Sequence, residues 1–281
     1  MKRYLLTLYG VVISSSLFAQ EVIPLSYSTA LPTLTVFRPK KDHLNGSCVI
    51  ICPGGSYAFR SDESEGFQPA RKLNDAGITA FVLDYRLPNG NDTVPLNDAE
   101  KAITYIRAHS KAYQIDPNKI GIMGFSAGGH LAATLGTHFK NADERPSFIV
   151  LAYPVISMTD SLTHNRSRSE LLGKEITSGK INYYSNELQV TGLTPGTFIV
   201  HAIDDQSVKV QNSLYFEAAL LQHNVPVQLF LYAHGGHGFG ISNKTATVQW
   251  IDGCIDWIKQ MKWKDTMLTS KDAVVRKGPN N

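Results

Sequence analysis

The chain has 281 residues, 43% of them hydrophobic and 18% charged, with a formal net charge of +3. That length suits one large α/β domain with a sizeable core, and the ordinary composition excludes fibrous, low-complexity and disordered classes. The near-neutral balance gives no basic surface suited to nucleic acid.

Residues 1–19 have their own logic: Met1, Lys2 and Arg3 form a basic start, residues 4–13 an apolar core, and residues 14–19 a small-residue approach to a cut after Ala19. The expectation is a cleavable signal peptide and a secreted or periplasmic protein with no stable membrane association. The core is short for a membrane span. Removing Lys2 and Arg3 takes the charge from +3 to +1. Cys48, Cys52 and Cys254 are odd in number and too few for a disulfide framework. Cys48 and Cys52 fall in one predicted strand, roughly 13 Å apart by strand rise, beyond the limit of about 7 Å for a bridge.

From residue 34 on, strands and helices alternate. Residues 34–37 and 47–52 are apolar, β-branched runs bounded by proline and glycine, and read as strands. A helix is predicted over 67–76, stopped by Gly77, then a buried strand over 78–85. Ala99, Ala102, Ile103 and Ile106 recur at three and four, which predicts a helix over 96–112 packed on one face. A turn at Asp116-Pro117-Asn118 leads to a strand from Ile120, a small-residue turn and another helix. Further strands are predicted over 148–152, 198–202 and 227–232, with helices over 207–223 and 245–261. Strands apolar on both faces and separated by helices indicate a mostly parallel, doubly wound sheet with helices on both sides. The 45 residues of 153–197 exceed a simple crossover loop and read as a short insertion over the site. Residues 264–281 form a polar tail.

In such sheets the site lies at the carboxyl ends of the strands. Gly124-Phe125-Ser126-Ala127-Gly128 is a Gly-x-Ser-x-Gly pattern after a strand and before a helix. The glycines permit a tight turn that lifts the serine hydroxyl above the sheet, over a helix N-terminus whose free N–H groups favour negative charge. Past the strand at 198–202 stand Asp204 and Asp205. Asp205 is the candidate to orient a histidine, while an acid here can also cap the following helix. Past the strand at 227–232 comes His234-Gly235-Gly236-His237-Gly238-Phe239, with His237 the candidate base and His234 a bystander. These two histidines lack a third ligand at metal-binding spacing, so no metal is expected. Past Cys52, Pro53-Gly54-Gly55-Ser56-Tyr57 offers backbone N–H groups, with that of Ala127, for an oxyanion hole.

The order Ser126, Asp205, His237 with an upstream oxyanion loop resembles the α/β-hydrolase superfamily, and within it the carbohydrate-acetylesterase-like group related to hormone-sensitive lipases. Matching stretches include 52–57, 83–87, 124–130, 152–155, 201–205 and 236–239. The resemblance implies an α/β-hydrolase catalytic domain over 20–263. It implies Ser126 as nucleophile, Asp205 as acid, His237 as base and oxyanion amides from Gly54, Gly55 and Ala127. The lipase-like relatives carry His-Gly-Gly-Gly where this chain has Pro53-Gly54-Gly55-Ser56, so Ser56 enters as a further contributor. Ser56, Tyr57, Tyr153 and Phe239 are candidates to line the substrate pocket. Asp84 and Arg86 read as a structural ion pair, and His130 as structural. The implied activity is cofactor-free hydrolysis of small acyl esters, O-acetyl groups on acylated carbohydrate such as xylan. Feruloyl or general short-chain carboxylesterase and exopeptidase-like activities are the alternatives.

Overall fold

Runs of β-branched and aliphatic residues pair into one sheet, seen in a computed structural model that describes residues 21–26 and 32–261. The expected signal peptide and the tail at 264–281 lie outside the described residues. The strands are β1 (Val22–Pro24), β2 (Thr33–Phe37), β3 (Cys48–Cys52), β4 (Thr79–Asp84), β5 (Ile120–Phe125), β6 (Ile149–Ala152), β7 (Thr197–Ala202) and β8 (Val227–Tyr232). Their order is β1-β2-β4-β3-β5-β6-β7-β8. β1 and β2 pair antiparallel, as do β2 and β4, and every other pair is parallel.

The helices are α1 (Gln68–Asp75), α2 (Thr93–Ala108), α3 (Ser110–Tyr113), α4 (Ser126–His138), α5 (Asn165–Leu172), α6 (Ser178–Tyr184), α7 (Gln211–Gln222) and α8 (Trp250–Gln260). They divide between the two sheet faces because strand side chains alternate. Along β3, Cys48, Ile50 and Cys52 enter one core layer with Ala99 and Ile103 of α2, Leu131 and Leu135 of α4 and Phe216 of α7. Val49 and Ile51 enter the other, with Ala70 and Leu73 of α1 and Trp250 and Cys254 of α8. Every residue of β3, β5, β6 and β7 is buried, which is why these strands read as unbroken apolar runs. The three cysteines are buried and unbridged.

Several boundaries shift from expectation, each for a local reason. The helix predicted over 96–112 breaks at His109 into α2 and α3, and Gln114 closes the second piece in the left-handed conformation. The helix predicted from 207 starts at Gln211, because the Asp205 carboxylate takes the N–H groups of Ser207 and Val208 at 2.9 Å each and holds them in a turn. The last helix starts at Trp250 instead of 245. Asn243 captures the Thr245 N–H at 3.0 Å and Gln249 bonds back to Asn243, which keeps that stretch irregular. Before α1 lies a π-helical turn, Glu63–Phe67, inside which Glu65 is buried. The 153–197 segment carries α5, α6 and a 3-10 turn, Asn186–Leu188.

The expected pairing of Asp84 with Arg86 does not occur. Arg86 forks onto the fully buried Asp98, with Nη2 2.6 Å from Oδ1, and Asp84 pairs with Arg60. Neighbours separated by one strand residue share a face, but Arg86 lies past the strand end, where the chain turns toward α2.

Candidate active site

β5 sits in the middle of the sheet, and the turn at its carboxyl end is forced by packing. A Cβ on Gly124 would lie 2.1 Å from the Gly128 carbonyl oxygen, and one on Gly128 would lie 2.1 Å from that of Cys52. Only glycine allows the strand, the turn and α4 to close this tightly. Ser126 consequently takes φ of 52°, a strained value for a non-glycine residue, and Oγ projects from the strand-to-helix corner.

Two loops bring the other two candidates to it. His237 Nδ1–H donates to Asp205 Oδ2 at 2.7 Å, and its Nε2 accepts from Ser126 Oγ at 2.9 Å. A carboxylate facing Nδ1 fixes the proton there and leaves Nε2 as the acceptor. The structure therefore places Ser126, His237 and Asp205 in one continuous hydrogen-bonded line.

The Asp205 carboxylate is fully buried and saturated. Oδ1 takes the amides of Ser207 and Val208, and Oδ2 takes His237 and, at 3.2 Å, the Nε2–H of His201. Burial alone would push its carboxyl up, but the hydrogen bonds from His201 and His237, with that of the Val208 amide, prevail and hold it well below the usual carboxylate range. His201 is itself fixed, since its Nδ1 accepts from Ser213 Oγ at 2.7 Å. The neighbouring Asp204 does separate work. It accepts the Gly236 N–H at 2.8 Å and the His234 ring at 3.3 Å, so it fastens the loop that carries His237. Among the described residues no three metal-ligating side chains gather.

The oxyanion loop departs from expectation at one amide. Gly54 N–H does not point free into the site; it donates to Glu65 Oε2 at 2.9 Å. The Gly55 N–H has no acceptor among the described residues. The Ala127 N–H belongs to the first turn of α4, which leaves it without an intrahelical partner and without a side-chain cap. The loop abuts the serine, because a Cβ on Gly54 would be 3.0 Å from Ser126 Cβ.

Glu65 has no obvious signal in the sequence. It is 6% exposed, and its other oxygen accepts from Tyr153 Oη at 2.8 Å. Tyr153 Oη in turn accepts the Gly240 N–H at 3.0 Å, and the Tyr153 ring stands edge-on to His237 at 4.9 Å between centroids. One buried carboxylate thus ties the oxyanion loop to the support of the histidine. Burial raises its carboxyl above the ordinary range, opposed by the Tyr153 and Gly54 hydrogen bonds and by His237.

Two expected pocket residues face elsewhere. Tyr57 is 2% exposed and its hydroxyl donates to His130 Nδ1 at 2.9 Å, while Tyr153 is fully buried on Glu65. Both have positive φ, 61° and 37°, which swings their side chains inward. His130 is structural as expected: its Nε2–H donates to the Tyr184 carbonyl at 2.8 Å, and burial pushes its pKa down to about 4. Phe239 is half-buried against Tyr153 and Tyr232, and Ser56 is half-buried at the loop tip with φ of 59°.

The chain is 40% identical over 200 residues to an acetylxylan esterase of Xylanibacter ruminicola, a match covering 70% of this chain and 42% of that protein. It is 33% identical over 226 residues to endo-1,4-beta-xylanase B of Butyrivibrio fibrisolvens, covering 75% of this chain and 35% of the other. The chain therefore spans less than half of either relative. Among solved structures, an acetyl ester-xyloside bifunctional hydrolase from Caldicellulosiruptor lactoaceticus superposes with a TM-score of 0.80 at 37% identity, covering 85% of this chain and 96% of that one. The BD-FAE family profile matches residues 34–220, and with an eight-stranded, mostly parallel sheet flanked on both faces by helices, the chain belongs to the BD-FAE family and has the α/β-hydrolase fold.

Proposed function

We propose that the protein is a serine carboxylic-ester hydrolase that removes small acyl groups, O-acetyl above all, from carbohydrate such as xylan or xylo-oligosaccharides. The observation that carries it is the line from Ser126 Oγ through His237 to Asp205, at 2.9 and 2.7 Å, beside two backbone N–H groups with no partner among the described residues. The likeness to an acetylxylan esterase and to an acetyl ester-xyloside hydrolase supports the substrate class.

In this mechanism His237 Nε2 removes the Ser126 hydroxyl proton as Oγ attacks the ester carbonyl carbon. The Gly55 and Ala127 amides receive the negative charge on the carbonyl oxygen, and Asp205 stabilises the imidazolium. As the ester C–O bond breaks, His237 gives the proton to the departing sugar oxygen, which leaves as a hydroxyl, and the acyl group stays on Ser126. Water, deprotonated by the same imidazole, then releases the acid and restores the serine. Gly54 has a different part: bonded to Glu65, it sets the position of Gly55.

The test is acid release, followed by mass detection, from acetylated xylan and xylo-oligosaccharides, with p-nitrophenyl acetate and methyl ferulate alongside. Acetate release from the glycans, lost by several powers of ten in Ser126→Ala, is the expected result. Turnover of methyl ferulate without acetate release from any glycan would overturn the substrate assignment. Export through residues 1–19 belongs to the same proposal, supported by their basic start, apolar core and small-residue approach to Ala19. N-terminal sequencing of the protein from the cell exterior or periplasm checks it, with Gln20 as the expected first residue.

A further inference from the structure

The alcohol side of the ester needs its own recognition, and two side chains beside the oxyanion loop stand free for it. Phe59 is 51% exposed, although it lies on a tightly wound turn. Its N–H and that of Ala58 both donate to the Gly55 carbonyl, at 3.1 and 2.9 Å, and the Ser61 N–H donates to that of Gly54 at 2.9 Å. A Cβ on Gly55 would sit 2.2 Å from the Phe59 carbonyl oxygen. The Phe59 backbone is thus held at a fixed place, and its ring, 3.0 Å at Cδ2 from where a Gly55 Cβ would stand, lies next to an amide proposed to bind the oxyanion while half of the residue is in solvent. An ordered, exposed aromatic ring beside a site is a stacking platform for the apolar face of a sugar.

Arg166, in the first turn of α5, is exposed, and its guanidinium carbon lies 5.9 Å from the centroid of the Phe59 ring. Every other described arginine is engaged. Arg38, Arg60, Arg71, Arg86 and Arg168 pair with carboxylates, and Arg107 and Arg145 bond to backbone carbonyls. Arg166 alone among them has a side chain with neither kind of bond. The start of α5 lies within electrostatic reach of the site: burial, then the charges of His237 and Arg166, push the pKa of its N-cap His164 down, with Asp205 acting against them. A planar cation above an aromatic ring, with no acid of its own, matches a carboxylate on the ligand in two-point geometry.

We propose that Phe59 and Arg166 form the leaving-group subsite, Phe59 stacking on a sugar ring and Arg166 binding a carboxylate, so that uronic-acid-bearing xylo-oligosaccharides are the preferred acetyl esters. This rests on the esterase assignment above and names its substrate more narrowly.

The test uses the full chain as wild type, Arg166→Gln, Phe59→Ala and Phe59→Leu on three esters. These are p-nitrophenyl acetate, acetylated neutral xylo-oligosaccharides, and the same oligosaccharides carrying glucuronic acid. Arg166→Gln should leave the first two within about twofold and raise KM for the acidic substrate by about five- to tenfold, with kcat little changed. That KM difference should shrink as salt rises. Both Phe59 variants should raise KM for the two glycans and not for p-nitrophenyl acetate; the leucine variant retains apolar bulk, so a folding defect cannot mimic the result. Titration of Ser126→Ala with glucuronic-acid-substituted xylotetraose reads the subsite without turnover, and binding should be lost on adding Arg166→Gln. Equal effects of Arg166→Gln on all three esters, or none on the acidic glycan and its binding, would overturn the subsite. A wild type that hydrolyses p-nitrophenyl acetate and neither glycan would instead overturn the carbohydrate assignment, while the titration still decides the subsite.

Discussion

Replacing Glu65 by leucine strips the acceptor from two buried donors at once. Gly54 N–H and Tyr153 Oη lose bonds of 2.9 and 2.8 Å, in a place where no water-facing alternative is open to the fully buried tyrosine. An unsatisfied buried donor costs about 1–3 kcal/mol, so the pair costs about 2–6 kcal/mol. At about 2–4 °C per kcal/mol for a domain of this size, the melting temperature falls by roughly 4–24 °C. The rate falls as well, because Tyr153 supports the His237 ring at 4.9 Å and Gly54 sets Gly55; a misplacement near 1 Å is worth about a hundredfold. Glu65→Gln keeps the shape and one acceptor oxygen and should land between wild type and leucine in both measures. pH adds a signature. The folded-state pKa of Glu65 is raised above its ordinary 4.5, so the folded protein binds the extra proton, and stability declines as pH rises through the interval above 4.5. The glutamine variant lacks that slope. Thermal melting, urea denaturation across pH and p-nitrophenyl acetate kinetics read the three effects in turn. A leucine variant that melts within a degree or so of wild type and turns over normally would refute the coupling, by the same size scaling.

Asp205→Asn should lower kcat by about three to four powers of ten, because the amide can no longer hold the His237 proton on Nδ1. The carboxyl is held below its ordinary 3.8, so its contribution to stability is present above that value and is lost as pH falls beneath it; acid denaturation of the asparagine variant should be correspondingly flatter. Gly128→Ala drives a methyl to 2.1 Å from the Cys52 carbonyl, and should destabilise the fold by about 1–3 kcal/mol or more with loss of activity, read by calorimetry. Burial pushes the thiols of Cys48, Cys52 and Cys254 up, so Ellman's reagent should find none in the native protein and all three in guanidinium.

The strands that hold the site were legible because β3 through β7 are covered on both faces or nearly so, and continuous apolar runs record that burial directly. β1 was not, since its three residues alternate in exposure and end on proline at the sheet edge. The glycines at 124 and 128 and the polar residues past β7 and β8 mark the three aligned side chains. Which amides stay free is another matter. It depends on Glu65, eleven residues past Gly54 in a π-helical turn, whose burial comes from Tyr153 across the sheet and leaves no local pattern. Tyr57 and Tyr153 misled for a related reason: adjacency in sequence says nothing of a positive φ that turns a ring inward. His201 did leave a trace, an imidazole inside the apolar run of β7, which a buried carboxylate partner explains.

The serine comes from the middle of the sheet, its carboxylate from the end of β7 and its imidazole from the loop after β8, the strand at the far edge. Because edge pairing joins residues late in the chain, hydrolytic competence is a property of the finished molecule: an intermediate with a formed central sheet but an undocked β8 has a serine without its imidazole. Recovery of turnover during refolding therefore times the docking of the final strand, trailing the far-ultraviolet circular-dichroism signal of the forming central sheet.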